Sequence, residues 1–170
     1  LRLDPETREM SAVLGHRNSE SFQGANDLTF DANGNLYFTD QGQTGLHDPS
    51  GRVYRLHTDG KLDLVIGGVP SPNGVALDAT GQVLYVAVTR ANQVWRGPLL
   101  PDGSTTKVGA FRTFFGTSGP DGMAVDSDNR ILVWNRQMVE LLRISPQAVA
   151  NLDFANLLVG DSQKMWHQWL

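Results

Sequence analysis

The chain contains no cysteine, which excludes a disulfide framework and any thiolate-held zinc. It also lacks a basic excess: 14 Lys and Arg against 18 Asp and Glu give 14 − 18 = −4. A surface that grips nucleic acid or anionic lipid needs the opposite balance, so neither partner is expected. No apolar run approaches a membrane span or a secretory h-region. The compartment stays open, with a soluble cytoplasmic protein expected ahead of a secreted one; a removed leader is compatible with a chain that begins at Leu1. His16, His47, His57 and His167 have no paired metal spacing. The serine-hydrolase elbow G-x-S-x-G is missing, and the S-x-x-K string at Ser104–Lys107 is followed by no K-T-G. "DANGN" from Asp31 looks like a calcium loop, but its sixth and twelfth places hold Leu36 and Gly42, where an EF-hand needs Gly and Glu.

What is present is repetition. "NDLTFDANG" begins at Asn26, "NGVALDATG" at Asn73 and "DGMAVDSDN" at Asp121, so the steps are 73 − 26 = 47 and 121 − 73 = 48 residues. Each opens on Asn or Asp, alternates to an aspartate five places on (Asp31, Asp78, Asp126), and then enters a turn. A period of that size marks a repeat architecture. Each opening strand is followed across a short turn by a second apolar run, "NLYFTD", "VLYVAVT" and "ILVW". β-Branched and aromatic content makes these strands. A second hairpin follows in two repeats, turning at Asp59-Gly60 and at Pro101-Asp102-Gly103. Four strands per repeat is one blade of an all-β propeller.

The spacing predicts a half-blade over 1–14, whole blades over 26–67 and 73–114, and a half-blade over 121–144 whose third strand would be "VELLRI". Residues 145–170 lose strand alternation and read as a divergent, partly helical tail. Asp31, Asp78 and Asp126 fall at hairpin entrances and are expected to be structural. Asn26, Asn73 and Asp121 fall where the chain enters each innermost strand, so they can meet at one channel mouth. Either their oxygens are held there for a ligand, or they act as Asx turn formers. Asn26 fits the turn role less well, because Asp27 follows it where Gly follows the other two.

"NDLTFDANGNLYFTD", "SPNGVALDATGQVLYVAVT" and "SGPDGMAVD" closely resemble segments of the gluconolactonase, or senescence marker protein-30, family of six-bladed propeller hydrolases, and the likeness runs over about residues 1–133. The resemblance implies about half of a six-bladed ring. It implies a divalent ion in the channel, Ca²⁺ foremost with Zn²⁺, Mn²⁺ or Mg²⁺ as alternatives. Of the family's Glu, two Asn and Asp ligands, it implies Asn26, Asn73 and Asp121, with no counterpart of the glutamate within the chain. Asp121 would double as general base.

The expected function is therefore hydrolysis of lactones or related esters, with the cation polarising the carbonyl. His47 on the long 41–51 loop, and Arg90 and Asn92 on the neighbouring loop, are candidate substrate contacts. A non-catalytic propeller module is the alternative. The two half-blades complement one another, so a two-fold homodimer would close a six-bladed ring, bringing a second copy's Asp121 to the same channel.

Overall fold

A computed structural model describes residues 2–42, 45–116, 119–126, 128 and 130–134. The first four strands are short: β1 (Arg2–Leu3), β2 (Met10–Ser11), β3 (His16–Arg17) and β4 (Glu20–Ser21). They pair as two small hairpins, β1 with β2 and β3 with β4. The second hairpin was not expected. Its turn residues Asn18 and Ser19 have φ of 47° and 73°, the doubly positive pair of a tight hairpin turn, and Asn tolerates that region well.

Two four-stranded antiparallel sheets follow. The first runs β5 (Ala25–Phe30), β6 (Leu36–Asp40), β7 (Gly51–Leu56) and β8 (Leu62–Val69); the second runs β9 (Pro72–Leu77), β10 (Val83–Val88), β11 (Gln93–Pro98) and β12 (Gly109–Thr113). Strand order in each sheet is the order in the chain. Each is a four-stranded antiparallel blade, and β13 (Gly122–Val125) with β14 (Ile131–Trp134) forms a further antiparallel pair. The expected third strand "VELLRI" and the tail at 145–170 lie outside the described residues. Among those residues, no helix is long and apolar enough to cross a membrane.

Each sheet buries one face against the next. From the first sheet Tyr37, Val53, Ile66 and Val69 meet Val75, Leu84, Val86 and Val88 of the second. On the second sheet's other face, Ala76, Ala87 and Val94 pack with Met123, against which Val125, Ile131 and Val133 lie. Small residues there let the β13–β14 pair approach closely, and burial of such apolar faces is the main stabilising term.

Polar fasteners fix the blades in register. Arg55, half-buried on β7, lies 5.6 Å over the Tyr37 ring, pairs with Asp31 at 3.5 Å and donates to the Asp102 carbonyl at 3.0 Å. The outer turn of the second blade is thus held by the first. Gly103 is required there: its φ is 83°, and a Cβ would lie 1.5 Å from an Arg55 guanidinium nitrogen. At the inner edge, Gly74 N–H donates to the Asp121 carbonyl at 2.7 Å.

The hairpin aspartates work as expected. Asp31 accepts the amides of Asn33 and Asn35, both at 2.9 Å; Asp78 accepts those of Gln82 and Val83 at 2.7 and 2.8 Å; Asp126 accepts those of Asp128 and Arg130 at 3.0 and 2.8 Å. Burial pushes the Asp31 and Asp78 carboxyls up, but side-chain hydrogen bonds, from the Asn35 amide to Asp31 and from the Thr80 hydroxyl to Asp78, together with these backbone amides outweigh it and hold both below the ordinary aspartate value. A carboxyl with a depressed folded pKa contributes stability that is complete above its unfolded value and lost as pH falls. Thermal melts should therefore show stability dropping as pH falls below about 4, and Asp78→Ala should cost about 1–3 kcal/mol at neutral pH while flattening that acid limb. In Gly74→Ala the new Cβ would sit 2.6 Å from the Asp121 carbonyl oxygen, a backbone atom with little room to retreat. Denaturant titration should register a loss of about 1–3 kcal/mol.

Candidate functional site

The candidate residues lie where β5, β9 and β13 begin. Asn26 is the second residue of β5, Asn73 the second of β9, and Asp121 immediately precedes β13. Their backbones are tied in sequence across the blades. Thr39, with no exposed surface at the end of β6, accepts the Asp27 amide at 3.0 Å and donates to the Asn73 carbonyl at 2.8 Å. The Asp27 carboxylate accepts the Val75 amide at 2.9 Å. One seam on, Gly74 holds the Asp121 carbonyl, and Thr89 Oγ1 donates to the Pro120 carbonyl at 2.7 Å. The Asp that replaces Gly after Asn26 therefore supplies from its side chain the link that Gly74 makes through its backbone.

Side-chain chemistry separates this row from the hairpin aspartates. The Asn73 and Asp121 side chains, both half-buried, make no hydrogen bond or ion pair among the described residues. Asn26 is exposed and donates from Nδ2 to Gln41 Oε1 at 3.2 Å, which leaves its oxygen outward. Gln41 Nε2 in turn donates to the Ser71 hydroxyl at 3.0 Å. Asp40 is spent: it is 1% exposed and accepts the Gln23 amide at 2.7 Å.

The expected substrate contacts divide. Arg90, on the short 3-10 turn Thr89–Ala91, is exposed, as is His47, and neither makes a hydrogen bond or ion pair among the described residues. Asn92 has a left-handed backbone, φ 52°, and its Nδ2 donates to the Gly116 carbonyl at 3.0 Å. It pins the loop that leads toward β13 and has only its oxygen and second N–H to offer. Leu46 and Phe115 are exposed, at 68% and 86%.

Thr39, Gln41 and Asp27 are the participants that sequence reasoning missed. For Asp27 a signal existed, since it alone departs from Gly at that step of the repeat. Thr39 sits inside "LYFTD" and reads simply as a strand former.

Among the described residues no cluster of three His, Cys, Asp or Glu gathers, so a metal here would be held mainly by carboxamides. Two carboxamide oxygens and one carboxylate suit a hard cation, with water or substrate completing its shell, and the uncommitted oxygens of Asn73 and Asp121 fit that use.

The family model described as SMP-30/Gluconolactonase/LRE-like region matches residues 1–153. A gluconolactonase of Zymomonas mobilis is 34% identical over 148 residues, which cover 77% of this chain and 42% of that protein. Among solved structures, a gluconolactonase from Xanthomonas campestris superposes with a TM-score of 0.67 at 26% identity over 78% of this chain and 47% of that one. Regucalcin of Agrobacterium tumefaciens, described as a calcium-binding protein, gives 0.56 at 25% identity over 64% of this chain and 37% of that one. The chain spans less than half the length of these relatives. With its family match over 153 residues, its two blades and the row of Asn26, Asn73 and Asp121 at successive inner strands, the chain belongs to the SMP-30/gluconolactonase/LRE-like family.

Proposed function

We propose that this chain supplies part of a lactonase, hydrolysing lactones or related esters at the channel end of its inner strands, with Asn26, Asn73 and Asp121 as oxygen donors to a divalent cation. One contrast carries the reading. Asp31, Asp78 and Asp126 each spend an oxygen on two backbone amides, whereas Asn73 and Asp121 keep theirs uncommitted on strands pinned by buried hydrogen bonds. The gluconolactonase relative supports the substrate class. The calcium-binding relative supports Ca²⁺ ahead of Zn²⁺, Mn²⁺ or Mg²⁺.

When bound, the cation polarises the lactone carbonyl and stabilises negative charge on its oxygen. Asp121 acts as general base, taking a proton from the water that adds to the carbonyl carbon. The ring C–O bond then breaks, and the proton taken up by Asp121 passes to the departing oxygen, which becomes a hydroxyl. Asn26 and Asn73 carry no titrating proton and orient the reacting groups. Arg90 and His47 bind hydroxyls or the product carboxylate, with Asn92 adding its remaining amide hydrogen and oxygen. A non-catalytic binding module is the second reading, favoured by the single anionic donor in the row.

Asp121→Asn keeps the size and removes the charge. Hydrolysis of a small lactone panel should fall by about 10²–10⁴-fold with the melting temperature preserved; near-normal turnover in the folded variant would sink the mechanism. Millimolar-range Ca²⁺ should raise the wild-type melting temperature by linkage, and indifference to Ca²⁺, Mg²⁺, Mn²⁺ and Zn²⁺ would favour the module.

A second copy is the proposed partner. The face of the first sheet turned away from the second carries Leu28 and Phe30, exposed at 56% and 60%, and Leu64 at 41%, in a row with Phe38 and Tyr54. Phe22 covers only the middle of it, with ring centroids 5.3 and 5.4 Å from Phe38 and Tyr54. In a two-fold ring this face would meet a second copy's β13 and β14, and the β1–β2 hairpin, with Leu3 and Met10 exposed at 60% and 71%, would complete that same blade. Gel filtration with light scattering should give a dimer at micromolar concentration. A stable monomer, or a dimer that survives deletion of residues 1–14, would rule this arrangement out.

A further inference from the structure

We infer that Gln41 is a positioning residue that sets which atom Asn26 presents at the channel mouth; the inference rests on the metal reading proposed above. The bridge it makes is anchored at both ends. Its backbone N–H donates to the Gly24 carbonyl at 2.8 Å, beside the start of β5. Its side chain reaches Asn26 at 3.2 Å on one side and Ser71 at 3.0 Å on the other. Ser71 is itself fixed: it is 2% exposed, has a left-handed backbone with φ 56°, and its carbonyl accepts the Thr89 amide at 3.2 Å. Two residues further on is Asn73, so Gln41 joins the side chain of one candidate donor to the segment that carries the next.

A carboxamide between a carboxamide and a hydroxyl has two hydrogen-bond polarities. In one, Asn26 donates its N–H to Gln41, Gln41 donates to Ser71, and the Asn26 oxygen faces outward. In the other, Gln41 donates to Asn26, Ser71 donates to Gln41, and Asn26 turns its N–H groups outward. Only the first can ligate a cation. A bound cation therefore selects one polarity of a chain that crosses the blade seam, and Gln41 transmits that selection to Ser71.

Substitution separates these roles. Gln41→Met keeps length and removes the bridge. Gln41→Glu can only accept, so it holds Asn26 with its N–H inward and oxygen outward, and adds an anionic group. The experiment follows the melting temperature against Ca²⁺ concentration for wild type, Gln41→Met, Gln41→Glu, Asn26→Ala and the Gln41→Glu/Asn26→Ala double variant. Metal-free melting serves as the fold control, and the side-chain amide NMR signals of Asn26 are read without metal. Gln41→Met should weaken Ca²⁺ binding by about 10-fold or more, the usual size for loss of a residue that orients a ligand. Gln41→Glu should tighten it, and most of that gain should vanish in the Asn26→Ala background. In the metal-free protein Gln41→Met should shift the Asn26 amide signals. Unchanged affinity in Gln41→Met, a Gln41→Glu gain that persists in full without Asn26, or unmoved Asn26 signals would each overturn the assignment while leaving the metal reading intact. A wild type that responds to no divalent cation would overturn both.

Discussion

The hydroxyl of Thr39 is the joint on which the alignment of the two four-stranded sheets depends. It accepts from the first blade and donates to the second at 3.0 and 2.8 Å with no exposed surface, so water cannot substitute for either partner. Buried polar groups that lose a partner cost far more than exposed ones, and this joint therefore fixes the starts of β5 and β9 to one relative position. The apolar contact of Tyr37, Val53 and Ile66 with Val75, Leu84 and Val86 holds the sheets together, but a packed interface of branched side chains tolerates small sliding. The hydroxyl and the Asp27–Val75 link do not, because hydrogen bonds weaken steeply with distance and angle.

Arg55 does the corresponding work at the outer rim. Its guanidinium spans from Asp31 to the Asp102 carbonyl over the Tyr37 ring, and Gly103 leaves the space it fills. A blade seam fastened at both inner and outer ends has little freedom to hinge. The strand starts that carry Asn26, Asn73 and Asp121, the proposed cation donors, are thus held in place by protein contacts alone, which is the condition for a site to bind without a large ordering cost.

The repeat and the hairpin chemistry were legible because both are local. Strand alternation, the Asp five places into each repeat and the Gly-containing turns act over a few residues, and the three carboxylates at Asp31, Asp78 and Asp126 accept amides two to five positions ahead. The seams were not legible because they depend on register. β9 and β10 slip between Val86 and Val88, and β5 and β6 between Ala25 and Leu28. Both ladders slip at the same step, which leaves Thr39 level with Ala87 and Thr89 level with Gln41, so the two threonines do not line up in the repeat although both donate to the entry of the following inner strand. Asn92 sits on a loop expected to contact substrate, and its Nδ2 also holds the Gly116 carbonyl, a contact to a residue 24 positions on that no local pattern shows.

Strand order within each sheet follows the chain without a crossover, and this shapes how the molecule is made. Among the described residues every ladder of the two sheets joins strands that are neighbours in the chain, so a sheet can zip up hairpin by hairpin, and contacts between distant parts of the chain concentrate where one sheet packs on the next. Low sequence separation within blades favours rapid assembly of each one. Docking of one blade on the next becomes the slow, cooperative step, as in other repeat architectures. Emerging from a ribosome, the first blade would be complete at Val69 and could wait, with its Val53 and Ile66 surface still bare, until Val75 to Val88 arrived to cover it.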